Sequence, residues 1–400
     1  MTRRGVLEFD GTSVSGSFSW ALPPSKSHII RWLAISSQGD KDVNISFSGE
    51  IGEDSISMAK CLISMGSEIE FRDGCWFVRG QKDGLFLPDY DFQCGNSGTT
   101  ANVISAMSAC LEGTAVIDGD SSLRRRHSQG LCDTLTELGC GIDSYSIPRS
   151  ISGKISLDKA TLDWGDTSQG ASAMVLASPS LPSKISLSLS GKPVSLGYWE
   201  LTREICSRSG FEINVEEGIL NLRPWKVDPP EEISVNGEQS LSPMGTLFSR
   251  LHDVEIRTTS TEKIRGLGPA LEEMEKGSEI LNLKDASDII TPSAAIMALG
   301  SGGKITGCGH ARGKESDRIS KTVKMLGEFG IKSKESPDGI IIMGNQSLKR
   351  PEEPVETYSD HRMAMTAMIL ASKVGGSILG PECVSATDPR FVQQLEEICD

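Results

Sequence analysis

The chain reads as a two-lobed α/β protein built from six copies of one supersecondary unit, and three observations carry that reading. An amphipathic stretch that ends in glycine and runs at once into a short apolar segment recurs along the chain. It is seen at Met58 to Ile69, Leu135 to Ile142, Glu204 to Ile213, Leu271 to Ile280 and Met325 to Ile331. The glycines are 66, 139, 210, 277 and 330, with a mean spacing of about 66 residues, and a last helical stretch, Phe391 to Ile398, falls one unit further on. Six units of that length fill nearly all of the 400 residues. The third observation is the proline-dense stretch Pro224 to Glu231 near the middle, which reads as a linker between two lobes of three units each.

The junction has a physical cause. A helix ends readily at a residue in the left-handed conformation, which glycine adopts at little cost, and the chain can then turn directly into a strand. Each unit is long enough for two helices and several strands, so a thin solenoid of short repeats is excluded. At about 150 residues per domain, 400 residues also exceed one ordinary domain. A cleft between lobes is the default place for a ligand.

Composition narrows the function classes. Lys and Arg number 40 against 54 Asp and Glu, a formal net charge of −14, which argues against a nucleic-acid binder. Aromatic residues make up 5%, too few for stacking platforms along a single strand. No run approaches the apolar length of a membrane span, and the N-terminus has two arginines without an apolar leader core, so a cytoplasmic protein is expected. The ten cysteines form no Cys-x-x-Cys pair, and no histidine stands at zinc-site spacing. They read as scattered, mostly buried thiols.

Five motifs carry chemistry. Leu22-Pro-Pro-Ser-Lys26-Ser27 through Arg31 has an extended entry, with Ser25 placed as an N-cap, and sets Lys26, Ser27 and Arg31 on the first turns of a helix. That is an anion site. Cys94 to Ala101 is a glycine-containing stretch that opens a helix with exposed backbone N–H groups. Asp118 to Arg126 puts three arginines before a helix from His127 to Leu138. Gly309 to Arg318 misses the nucleotide-binding P-loop pattern, because Cys308 and Glu315 stand where glycine and Ser/Thr are required. There Lys314, Glu315 and Arg318 are expected to open the helix that ends at Gly330, with Glu315 between two cations as an acid/base candidate. Tyr358-Ser-Asp360-His361-Arg362 opens an apolar helix. Each motif alone also suits a capped, solvated helix start or a plain turn. Together they imply a cationic cleft for a multiply anionic substrate in an acidic protein.

In order along the chain, Pro24-Ser-Lys-Ser to Arg31, Gly95-Asn-Ser-Gly-Thr-Thr100, Gly119-Asp-x-Ser-Leu to Arg126, Thr167-Ser-Gln169, Ser195 to Tyr198, Asp288, Arg312-x-Lys-Glu-Ser-Asp-Arg318 and Asp360-His-Arg-Met-Ala-Met365 resemble the 5-enolpyruvylshikimate-3-phosphate synthase family. The resemblance implies six βαβαββ units, with lobes of residues 23–228 and of 1–22 plus 229–400. It implies transfer of the enolpyruvyl group of phosphoenolpyruvate to the 5-hydroxyl of shikimate 3-phosphate, with release of phosphate through a tetrahedral intermediate. Lys26, Ser27, Arg31, Thr167, Ser168, Gln169, Ser195, Tyr198, Asp288 and Lys314 would hold shikimate 3-phosphate. Lys26, Gly98, Arg126, Gln169, Arg318 and Arg362 would hold phosphoenolpyruvate. Asp288 would take the hydroxyl proton, and Glu315, with Lys26 and His361, would move the proton at the enol methylene. No metal or cofactor is implied, and the partners are the two small molecules acting on a monomer, without nucleic acid or membrane. Glyphosate is the family's competitor of phosphoenolpyruvate.

Several positions depart from the family pattern. Asn102 stands for an arginine, His127 for a proline and His310 for Asn or Glu, the Gly237 to Ser242 segment differs, and Ala386 stands for a lysine, with Arg390 as a conjectured substitute. The alternatives are a UDP-N-acetylglucosamine enolpyruvyl transferase, an RNA 3′-terminal phosphate cyclase and a non-catalytic protein of the same fold. The first has Lys-Asn where Lys26-Ser27 stands and a reactive loop cysteine, absent from Arg124 to Arg126. The second is opposed by charge and scarce aromatics, and the third by Lys26, Asp288, Glu315, Arg318 and His361.

Overall fold

The structure, a computed structural model, describes residues 5–399. Its helices are α1 (Lys26–Ser36), α2 (Glu53–Ser64), α3 (Gly98–Ser108), α4 (Gln129–Glu137), α5 (Gln169–Ala177), α6 (Leu196–Arg208), α7 (Ser242–His252), α8 (Leu267–Lys276), α9 (Ile290–Leu299), α10 (Arg318–Glu328), α11 (His361–Val374) and α12 (Phe391–Cys399).

The repeat is explicit in the sheets. Strands 92–93 and 114–118 pair in parallel, 114–118 pairs antiparallel with 149–152, and 149–152 antiparallel with 141–142. The same one-parallel, two-antiparallel order holds for 159–163, 185–190, 219–222 and 215–216, and for 280–282, 302–306, 339–343 and 333–336. It holds again for 232–235, 43–47, 75–78 and 69–72, where the first strand comes from late in the chain. Two shorter sheets keep only part of the pattern: 355–356 parallel to 376–379, which pairs antiparallel with 6–9, and 17–20 parallel to 255–258.

The described chain divides into two compact units, Pro24–Asn236, and the residues up to Pro23 together with Gly237 onward. The proline-dense stretch is therefore not where the division falls. Strand 232–235 is hydrogen-bonded to 43–47, which keeps residues beyond the expected 228 boundary in the first unit.

In the 24–236 unit the odd-numbered helices α1, α3 and α5 pack on one another, and in the terminal unit α7, α9 and α11 do the same. Helices α5 (Gln-Gly-Ala-Ser-Ala-Met-Val-Leu-Ala) and α9 are apolar on nearly every face, as helices enclosed on all sides must be. The even-numbered helices are amphipathic and end as the sequence predicts. Gly66, Gly139, Gly210, Gly277 and Gly330 all take φ between +72° and +97°. After Gly210 the chain does not enter a strand at once, and the next strand begins only at Val215. The 127–138 helix is shorter than expected, spanning Gln129–Glu137.

His252, in the last turn of α7, is buried, stacked on Phe248 at 4.3 Å, with Nε2 3.0 Å from Ser372 Oγ. Burial, reinforced by the charge of Lys373, lowers its pKa to about 4. The folded state thus resists a proton that the unfolded chain accepts below about 6.5. The stabilisation is complete above that pH and is lost as pH falls toward 4, by up to about 3 kcal/mol. Urea titrations of the parent and of His252→Gln at pH 7 and pH 4 check this: the parent should lose more stability than the variant.

Candidate active site

Most residues singled out from the motifs lie at, or just before, the N-terminal end of a helix, where unpaired backbone N–H groups favour anions, and Arg31, in the middle of α1, is the exception there. In the 24–236 unit Lys26 and Ser27 open α1, Gly98 opens α3, Gln169 opens α5, and Ser195 is the residue before α6. These ends are tied together by side chains. Gln169 accepts from Asn102 Nδ2 at 2.9 Å and its Nε2 lies 3.5 Å from Thr99 Oγ1. Gln169 N–H donates to Thr167 Oγ1 at 3.2 Å, and Ser168 Oγ donates to the Ser195 carbonyl at 3.2 Å. Asn102, where the family pattern has arginine, thus orients a proposed ligand residue.

The three arginines separate into different roles. Arg124 pairs with Asp118, Arg125 donates to the Ser121 carbonyl, and Arg126 turns toward Asn96 and Ser122. A methyl group built on Gly98 would stand 3.4 Å from Arg126 Nη1 and 3.6 Å from Gln169 Oε1, so these three residues converge.

Two expectations need correction here. Ser25 precedes α1 but does not cap it with its side chain, because Ser25 Oγ pairs with His28 Nδ1 at 2.9 Å. Arg31 is buried rather than displayed. Its guanidinium donates to Thr202 Oγ1 at 2.8 Å, the Ser27 carbonyl at 2.9 Å and the Tyr198 carbonyl at 3.2 Å, binding α1 to α6 beside the Tyr198 ring. Lys26 Nζ donates to the nearly buried Asp54 at 2.7 Å, a partner the motif reading missed.

The terminal unit gathers a compact charge cluster. Arg318, the first residue of α10, is buried. It donates from Nη1 to Asp288 at 2.7 Å, from Nε to Asp360 at 2.9 Å and from Nη2 to Glu315. Burial alone would lower its pKa, but Asp360, Glu315 and Asp288 together raise it well above the ordinary arginine value. Lys314 Nζ lies 3.9 Å and Arg362 Nε 3.7 Å from the same Asp288 oxygen. Arg362 also donates to the Ser240 carbonyl at 3.0 Å and to Ser240 Oγ at 2.8 Å, reaching the turn before α7. Asp360 caps α11 by accepting from Arg362 N–H, which fixes His361, buried, in the first turn. His310 Nε2 sits 2.9 Å from Ser287 Oγ, beside Asp288, and burial, with the Lys314 charge, lowers its pKa to about 4.

Lys314 and Glu315 do not open the helix, contrary to expectation. Asp317 caps α10 by accepting from Ser320 N–H, so both stand on the preceding turn, and Glu315 reaches Arg318 from outside the helix. Ala386 is buried in the turn Pro381–Ala386, and Arg390 is half exposed, 4.0 Å from Glu397 on α12. Arg390, just before α12, therefore turns toward that helix.

Two compact α/β units built from one repeat, with cations and carboxylates at the starts of their helices, define a class of protein suited to anionic small molecules. The comparisons agree. The sequence profile of EPSP synthase (3-phosphoshikimate 1-carboxyvinyltransferase) matches residues 12–244 and 238–395, and the chain belongs to that family. Curated relatives called 3-phosphoshikimate 1-carboxyvinyltransferase include one from Methanothermobacter thermautotrophicus, 28% identical, with 94% of each chain covered. One from Caldicellulosiruptor saccharolyticus is 29% identical, covering 94% of this chain and 95% of its own. An EPSP synthase from Acinetobacter baumannii shares the fold with a TM-score of 0.74 at 20% identity, over 99% of this chain and 98% of that one. The chain is accordingly a transferase of aromatic biosynthesis, moving the enolpyruvyl group to shikimate 3-phosphate. No helix among the described residues is long and apolar enough to cross a membrane.

Proposed function

We propose a division of labour among these residues in which the observation that matters most is Arg318 donating at once to Asp288 and Glu315. Shikimate 3-phosphate is held by Lys26, Ser27, Thr167, Ser168, Gln169, Ser195, Tyr198 and Lys314, with Arg31 fixing Ser27 and Tyr198 through their carbonyls. Phosphoenolpyruvate is held by Lys26, Arg126, Gln169, Arg318 and Arg362, beside Gly98, where Arg126 and Gln169 converge.

Asp288, paired with Arg318, accepts the proton of the 5-hydroxyl as its oxygen adds to C2 of phosphoenolpyruvate. A phosphoenolpyruvate carboxylate that takes Arg318 frees Glu315 to pick up a proton from solvent and deliver it to C3, with Lys26 and His361 assisting. Charge building on the carboxylate and phosphate is met by fixed cations. Glu315 then removes a C3 proton, and the tetrahedral adduct loses phosphate, which carries off the proton held by Asp288, to leave the enolpyruvyl ether. The enzyme acts as a cytoplasmic monomer on these two small molecules.

Because C3 becomes a methyl group in the adduct, solvent hydrogen should enter the vinyl group. In deuterated water, NMR should show deuterium at the product methylene. A product free of deuterium would refute the addition–elimination assignment.

The Gly98 placement yields a second expected result. The built methyl contacts Arg126 and Gln169 at ordinary van der Waals distance and Gly98 has no left-handed φ, so Gly98→Ala should fold normally. It should weaken glyphosate more than phosphoenolpyruvate, since the inhibitor is the longer molecule. Paired inhibition titrations with thermal melts check this. An equal loss for both ligands would place Gly98 away from the phosphoenolpyruvate subsite.

A further inference from the structure

Backbone strain points to a residue that the mechanism above does not use. Among the described residues six non-glycine residues have left-handed φ, and two of them are consecutive: Tyr358 at +56° and Ser359 at +57°. A bulky aromatic residue in this region is a true outlier, and such conformations persist where the surroundings over-determine them, often at functional sites. The pair stands immediately before Asp360, His361 and Arg362.

The stretch is anchored at both ends. Thr357 Oγ1 donates to the Leu379 carbonyl at 2.8 Å and lies 3.1 Å from the Gly380 carbonyl. Asp360 N–H closes back on the Thr357 carbonyl at 3.0 Å. Tyr358 N–H donates to Glu356 Oε1 at 3.0 Å. The left-handed turn then lays the Tyr358 ring against α10, with Lys321 Nζ 4.7 Å and Lys324 Nζ 5.6 Å from its centroid. Arg318, Lys321 and Lys324 recur every three residues, so one face of α10 engages both Asp360 and Tyr358. The Tyr358 hydroxyl is buried without a hydrogen bond of good geometry, its nearness to Lys324 raising that ammonium's pKa, which leaves the ring as the main working part.

We propose that Tyr358 is a positioning residue: its ring, clamped by Lys321 and Lys324, holds the strained 358–359 turn so that Asp360 meets Arg318 and His361 is presented at the start of α11. The proposal rests on the site reading above. Asp360 also accepts from Ser316 Oγ at 3.0 Å, so a shift of the turn would reach the Glu315 loop as well.

The test compares Y358F, Y358A, the double variant K321A/K324A and the triple variant, each read for kcat, for KM of both substrates, and for amide hydrogen exchange of the unliganded protein. Y358F should stay within about twofold of the parent, because its lost hydroxyl makes no hydrogen bond of good geometry. Y358A should lower kcat by about tenfold with KM for shikimate 3-phosphate little changed, and should speed exchange in the first turn of α11. The triple variant should be no worse than Y358A, as expected for groups acting as one unit. A normal kcat in Y358A, a lowered kcat with α11 protection intact, or additive losses in the triple variant would each overturn the role of Tyr358. A parent protein that fails to turn over the two substrates would overturn the site reading and this proposal with it.

Discussion

Replacing Glu315 by glutamine should lower kcat by about 10²–10⁴-fold while changing KM modestly, the signature of a lost proton carrier in a site that still binds. Glutamine keeps the length and planarity of the side chain, and its carbonyl can still accept from Arg318 Nη2, so the preceding turn and the Asp317 cap should persist. What disappears is the capacity to give a proton to C3 of phosphoenolpyruvate and to take one back. Steady-state kinetics with deuterium exchange into the vinyl group check this, since both proton steps should slow together. If the variant keeps more than about a tenth of parental kcat, the proton carrier lies elsewhere, and His361 is the next group to test.

Replacing Arg318 by glutamine should be costly in two ways. The side chain is 1% exposed and its carboxylate partners are 0% exposed at Asp360 and 15% at Asp288 and Glu315. Removing the guanidinium leaves three neighbouring carboxylates without their shared cation, and breaking a buried ion pair in this way costs about 3–5 kcal/mol. Lys314 and Arg362, at 3.9 and 3.7 Å from Asp288, offset part of the loss at that residue. Neither has an ion pair to Asp360 among the described residues. Activity should fall as well, by about 10²–10³-fold in kcat/KM, the scale for losing one fixed donor to developing charge. Urea denaturation and kinetics on the same preparation check both. Unchanged stability would mean that the cluster is solvated rather than buried.

The helix starts were legible because their signals are local. Gly95 to Thr100 announces α3 through the Ser97 cap, which accepts from Thr100 N–H, and Asp360-His-Arg announces α11 through the Asp360 cap. The glycine-ended helices were legible for the same reason. The start of α10 was also written locally, in Asp317 three residues before Ser320, but the charged run Lys314-Glu315 drew the expected start too early. Partners remote in sequence were not legible. Asp54 meets Lys26 across 28 residues, Gln169 meets Asn102 across 67 and Thr202 meets Arg31 across 171. Such contacts are set by how α1, α2, α3, α5 and α6 pack, and no spacing rule reports that. The first unit runs past the expected 228 to Asn236 for a related reason: strand 232–235 pairs in a sheet whose other strands lie at 43–78, and that pairing outweighs the prolines before it.

The most direct measurement of the central claim is phosphate release followed with shikimate 3-phosphate consumption, in the purified protein supplied with phosphoenolpyruvate. The account predicts one phosphate released per shikimate 3-phosphate consumed, only when both substrates are present, and almost abolished in Glu315→Gln. Phosphate release from phosphoenolpyruvate alone, or undiminished release in that variant, would contradict it.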